Sequence, residues 1–305
     1  LFTLLWKKPL NKSNNLNTIV KWADMSDKLR WKSDGYNISW YVDLEESDIE
    51  IIKRLQRLGD GEYSGLGSTI LLYDMILHDI PKEYQSGFSE IIMYSHIIAY
   101  EEMRHGIAVS NLYEAVSNNN PNYLDTVSVQ EISDKFIFGF EDNVYWDAYG
   151  LLISHCLSEV PNCVLYKDVL SQAKHPKLKS LIKNILRDEI RHKLALTEIV
   201  LNLVNLSEYH KQRCLDSLES GLNHHNALQH GRYFEGINDM AYLFNKGASE
   251  VIVKDKFNII QKWFGKDNPY TYRDLIIKHL KFTQLSKGKV KSKACPEEQL
   301  GFCFE

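Results

Sequence analysis

Two short stretches constrain this chain more than any other part of it: Glu101-Glu102-Met103-Arg104-His105 and Asp188-Glu189-Ile190-Arg191-His192. Both read acid-Glu-x-Arg-His, and Glu189 follows Glu102 by 87 residues. Each lies inside a row of residues alternating steps of three and four. The first row is Phe88, Ile91, Ser95, Ile98, Glu102, His105, Val109, Leu112 and Val116; the second is Leu178, Ile182, Ile185, Glu189, His192, Leu196, Ile199 and Leu203. That spacing is the buried stripe of an α-helix. A Glu and a His three residues apart emerge on one helical face, so each stripe turns a carboxylate and an imidazole toward a core where Leu or Ile is expected. Burying such groups unpaired costs several kcal/mol each. A metal ion offsets the cost, because it requires an ionised carboxylate and a neutral imidazole.

The rest of the chain supports an all-α fold. From Asp48 onward the pattern is helical, and four long segments stand out: about Glu46–His78, about Glu83–Val116, about Ser128–Leu170 with Pro161 as a kink or a break, and Pro176 to about Leu206. The second segment stops at Asn118-Asn119-Asn120-Pro121. Residues 1–44, rich in Trp, read as an irregular segment with short helices. Residues 207–285 read as a helical extension, with amphipathic stretches at about Ser207–Gln229 and Phe234–Phe264 and a short helix near Tyr272–Phe282, and 286–305 as a loosely held tail. All 305 residues are expected to form a single domain, its core spanning about 45–206.

A two-metal carboxylate bundle needs one further Glu from each of two other helices. Glu62 lies on the inward stripe of the first segment, and Glu159 lies in the third; Asp147 and Glu141 compete for the latter role. The expected ligands are Glu62, Glu102, His105, Glu159, Glu189 and His192. Four carboxylates and two imidazoles suit Fe or Mn better than a structural zinc. A ligating His donates its other N–H to a carboxylate, and antiparallel helices would set Asp188 on His105 and Glu101 on His192. Arg104 and Arg191 would then neutralise the outer acids.

The two motifs resemble the paired EENRHG and DEKRH motifs of soluble acyl-carrier-protein desaturases and, more broadly, those of the ferritin-like non-heme di-iron oxygenases. The resemblance covers about residues 45–205. It implies a ferritin-like four-helix bundle core with extra N- and C-terminal helices, and two Fe ions, with Mn/Fe also compatible. It further implies O2-dependent oxidation of a small organic or carrier-protein-bound acyl substrate, with electrons from a ferredoxin-type donor along the Asp188–His105 pair. A homodimer enters by family analogy alone. The chain departs from the pattern at Asn162, where desaturases carry Thr, and at Ile185, where the related N-oxygenases carry a ligating His. Desaturation, hydroxylation and N-oxygenation therefore stay open. His155, four residues before Glu159, reads as a core or outer-layer histidine, with an unusual seventh ligand as the alternative.

Other features narrow the partners. A net charge of −4 and a pI of about 6.3 argue against a nucleic-acid partner. No apolar run reaches the ~18 residues that a membrane span needs. Five scattered cysteines without a CxxC pair fit a reducing, cytoplasmic setting. His224, His225 and His230 read as a solvated face. A substrate pocket is expected beside the metals, lined by Leu66, Ser95, Ile98, Leu152, His155 and Cys156. Two other readings remain: a ferroxidase or storage protein, and a helical interaction protein with an inactive site.

Overall fold

The computed structural model describes residues 14–32, 44–62, 65–85, 88–117, 147–223 and 248–277. Its elements are α1 (Asn14–Leu29), α2 (Glu46–Glu62), α3 (Gly65–Asp79), α4 (Ser89–Ser117), α5 (Ala148–Gln172), α6 (Pro176–Leu206), α7 (Glu208–Asn223), α8 (Ala248–Phe264) with a 3-10 turn at Gly265–Asp267, and α9 (272–277). The protein is an all-α bundle, with no strand among the described residues.

The long helices follow their apolar stripes. α6 begins with Pro176, whose missing N–H costs nothing at the first helical position. His175 before it supplies no side-chain cap. The cap comes instead from α2: Asp48 accepts from the backbone N–H of Lys174 at 2.8 Å and of His175 at 3.0 Å. Asp147 caps α5, accepting from Gly150 N at 2.8 Å and from Ser217 at 3.0 Å, with Arg213 paired to its other oxygen. Asp147 is thereby a capping residue and not a rival of Glu159; Glu141 lies outside the described residues.

Several boundaries differ from the sequence reading. The N-terminal segment holds a four-turn helix, α1, because Ile19 and Trp22 pack into the core. The first long segment is helical on either side of residues 63–64, which are not described. α4 starts at Ser89, after a turn in which Tyr84 N–H bonds Pro81 O. Pro161 does not break α5; the helix runs through it, at the loss of the bond that residue 161 would donate to Leu157 O. Residues 128–146, the tail and His224, His225 and His230 lie outside the described residues. No helix among the described residues is long and apolar enough to cross a membrane.

α5 packs along α6, α2 along α4, and α1 lies across α6 and α4. The buried apolar side chains form two bodies. One gathers Phe88, just before α4, and Tyr94 and Ile98 of α4 with Leu152 and Cys156 of α5 and Leu196, Ile199 and Leu203 of α6. The other gathers Ile52 and Leu55 of α2 with Val109, Leu112, Leu165, Leu178, Ile182 and Ile185. Because α4 and α6 run antiparallel, their two motifs fall at the same level, and a polar layer separates the bodies.

α1 is held to α6 by Glu198, which accepts from Trp22 Nε1 at 3.0 Å, Lys21 Nζ at 3.1 Å and Thr18 Oγ1 at 3.4 Å. Partial burial works against the Glu198 anion, but Lys21, Trp22 and Thr18 outweigh it and hold the carboxyl below its ordinary value. A depressed carboxyl contributes stability above its unfolded value and loses it as pH falls through the folded one. Protection of the α1 amides from hydrogen exchange is therefore expected to weaken below about pH 4 in the native protein. In Glu198→Gln it should be lower throughout and flat over the same range, at a cost of about 1 kcal/mol for a partly exposed group.

Candidate metal centre

Three helices furnish the polar layer. α4 supplies Glu101, Glu102, Arg104 and His105; α5 supplies His155, Glu159 and Asn162; α6 supplies Asp188, Glu189, Arg191 and His192. Glu101, Glu102, Arg104, His105, Glu159, Asp188, Glu189, Arg191 and His192 are all buried. Among the described residues, the donor atoms of Glu102, Glu159, Glu189 and His192 all lie within 4.8 Å of one another. His105 joins them, its Nδ1 3.3 Å from Glu102 Oε2 and 3.1 Å from Glu189 Oε1. His192 Nδ1 stands 2.8 Å from Glu102 Oε1.

An outer layer crosses between the helices as the antiparallel packing requires. Asp188 Oδ2 lies 3.3 Å from His105 Nε2, and Glu101 Oε2 lies 2.7 Å from His192 Nε2. An ionised carboxylate only accepts, so each far nitrogen carries the proton and each Nδ1 faces the centre. Arg191 donates to Glu101 Oε1 at 2.6 Å and lies 2.9 Å from Asp188 Oδ1. Arg104 reaches the same two acids at 3.4 and 3.5 Å. Asn162 Nδ2 donates to Glu189 Oε2 at 3.2 Å, and His155 Nε2 stands 3.1 Å from Glu159 Oε1.

Glu62 is the final residue of α2. Its side chain is outside the described set, so the structure assigns it no place at the centre.

The electrostatics separate the inner acids from the outer ones. Burial, together with the Glu102 and Glu159 carboxylates, pushes the Glu189 carboxyl well above the usual range. Burial disfavours the His192 cation, but Glu102 and Glu101 outweigh it and raise that imidazole well above its ordinary value. Burial also opposes ionisation of Asp188 and Glu101. His105 and Arg191, with Trp31, nonetheless hold Asp188 down, and His192 and Arg191 hold Glu101 down. Burial of three neighbouring carboxylates thus favours proton uptake in the inner layer, since they cannot all ionise cheaply. A cation replacing those protons would meet ionised carboxylates and two Nδ1 lone pairs, each imidazole already oriented from behind. The carboxylate oxygens and imidazole nitrogens gathered here form a donor set that could hold a metal ion.

Two contributors come from the segment read as irregular. Trp31 Nε1 donates to Asp188 Oδ2 at 2.6 Å, and its indole stacks on His105 with ring centroids 6.0 Å apart. Arg104 ties down the Trp31 carbonyl at 3.0 Å. Ser26 accepts from Arg191 Nε at 3.0 Å. The helical spacing of Ile19, Trp22 and Ser26 could have signalled α1, but nothing local to Trp31 marks it as a partner of an acid 157 residues away.

A void of about 10 Å3 adjoins the centre, room for a single water. Ser95, Leu152 and His155 line it as expected, joined by Thr69, Leu72 and Leu196. Ile98 and Cys156 do not line it; they pack into the apolar core. The Leu66 side chain is not among those described. Compared with models of known protein families the chain matches none, and it matches no curated protein.

Proposed function

We propose that this protein is a ferritin-like, O2-dependent oxidoreductase that holds two metal ions, iron in the first instance, with Glu102, His105, Glu159, Glu189 and His192 as ligands and Glu62 completing the set. One observation carries the reading. Three buried carboxylates and two buried imidazoles converge from three helices, and each imidazole is backed by its own acid. A stability role does not account for them, since replacing a buried ionic network by apolar residues is often neutral or stabilising. Reduced iron there would supply O2 activation.

The chain's own groups have separable tasks. Asn162 fixes the orientation of Glu189. Glu101 and Asp188 hold the two imidazoles in the tautomer that presents Nδ1. The apolar bodies on either side exclude water. Trp31, bonded to Asp188 and stacked on His105, lies where an external donor of the ferredoxin type could pass electrons inward. The oxidised substrate is a small organic molecule or an acyl chain entering beside His155, and hydroxylation, desaturation and N-oxygenation use the same centre.

The small size of the void favours a second reading, a ferroxidase that oxidises iron without an organic substrate. One experiment separates the two. The apoprotein is loaded with Fe(II) without air, the metal per chain is counted, and O2 is admitted. The oxygenase reading expects close to two irons per chain, one round of oxidation and no further iron uptake. The ferroxidase reading expects continued Fe(II) consumption with ferric product beyond two per chain. No uptake at all would remove both readings.

A further inference from the structure

We propose that His155 is a seventh and exchangeable metal ligand on the side of the centre that faces the void; this rests on the metal-centre reading above. Two donors bound at right angles to one ion, each at ~2.1 Å, stand roughly 3.0 Å apart. The imidazole–carboxylate separations within the centre are 2.8 Å for His192 with Glu102, 3.1 Å for His105 with Glu189 and 3.3 Å for His105 with Glu102. His155 Nε2 lies 3.1 Å from Glu159 Oε1, inside that range. Its position on α5, one turn before Glu159, sets both side chains on one face. A cation bound by Glu159 is therefore within reach of the ring.

His155 differs from the other two imidazoles in ways that make its bond the one to exchange. It presents Nε2 to the centre, whereas they present Nδ1. His105 and His192 are fully enclosed and backed by Asp188 and Glu101, whereas the His155 side chain is 23% exposed. No acid among the described residues holds its far nitrogen. An imidazole without a backing acid is a weaker and less fixed ligand. It also lines the void, with Thr69 and Ser95 as its polar neighbours. The Thr69 hydroxyl is donated to Ser95 O at 3.3 Å and the Ser95 hydroxyl to Ile92 O at 2.7 Å. A molecule entering the void therefore meets His155 as the group it can displace, and displacement opens a coordination position beside the bound molecule.

The test uses the full-length protein and Co(II), read by metal titration against a chelator and by the paramagnetically shifted imidazole N–H signals in the proton NMR spectrum. The wild type is expected to take two Co(II) and to show three shifted N–H signals, the one from His155 exchanging fastest with water. His155→Gln, which can still donate to Glu159, should show two signals and bind one of the two ions at least tenfold more weakly. His155→Gly should regain that affinity and a third signal when imidazole is added. Two signals in the wild type, with both ions held equally well by His155→Gln, would reduce His155 to a hydrogen-bond donor and overturn the proposal while leaving the metal centre standing. A wild type that takes up no Co(II) would overturn the metal centre as well.

Discussion

Anaerobic addition of Fe(II) or Co(II) to the metal-free protein is expected to raise its melting temperature by on the order of 10 °C at a metal concentration ~1,000 times Kd. Binding to the folded state alone contributes about 4 kcal/mol under that condition, and a chain of this size gains a few degrees per kcal/mol. The folded, metal-free chain keeps Glu102, Glu159 and Glu189 buried within 4.8 Å of one another, a state that a cation relieves and unfolding also relieves. Glu189→Gln preserves the shape and removes one charge. Since the Glu189 carboxyl is already pushed toward its neutral form, the metal-free melting temperature of this variant should match or exceed that of the wild type. Its metal-induced rise should vanish. A rise that persisted in Glu189→Gln would place the ion elsewhere, on exposed acids away from the polar layer.

The second large effect belongs to the outer layer. Arg191→Met is expected to destabilise the fold by about 3–5 kcal/mol, read as a lower urea midpoint at unchanged slope. Among the described residues, Arg191 is the one side chain that touches both outer acids at short range, 2.6 Å from Glu101 and 2.9 Å from Asp188, and it bonds Ser26 as well. Removing it leaves two buried anions with the longer contacts of Arg104 at 3.4 and 3.5 Å. Arg104→Met should cost less, because Arg191 remains to neutralise both acids and the lost bonds are weaker. Equal losses in the two variants would contradict that division. The same pair separates the layers functionally: metal affinity should fall further in Arg191→Met, since Glu101 and Asp188 orient the two imidazoles.

Much of this arrangement was readable in the sequence because it depends on helical period alone. The motifs on α4 and α6 lie in clean apolar rows, and the antiparallel crossing of Asp188 to His105 and Glu101 to His192 follows once the two helices are placed side by side. The bounds of α6 were legible for the same reason, with Pro176 at one end and the stripe ending near Leu206. What could not be read came from long-range pairing. Asp48 caps the start of α6 from another helix, and Trp31 reaches Asp188 from a segment whose local pattern is weak. Pro161, legible as either a kink or a break, is no break. A proline signals a break when only its own turn is considered, yet packing of Val160, Cys163 and Leu165 on either side of it keeps α5 continuous and Glu159 in place.

The placement of α1 bears on the order in which the molecule assembles. Thr18 of α1 bonds Glu198 of α6, and Trp31, two residues past the end of α1, bonds Asp188, pairs 180 and 157 residues apart, whereas α5 and α6 are joined by a short turn. Contacts that close such long stretches of chain form slowly. The pairing of α5 with α6 can form early, and α1, synthesised before either of them, docks late. Until it does, Asp188 and Arg191 stay open to water and His105 has a loosely held backing acid. The interval between these two events is a window in which the outer acid Asp188 is reachable from solvent, and docking of α1 and Trp31 ends it.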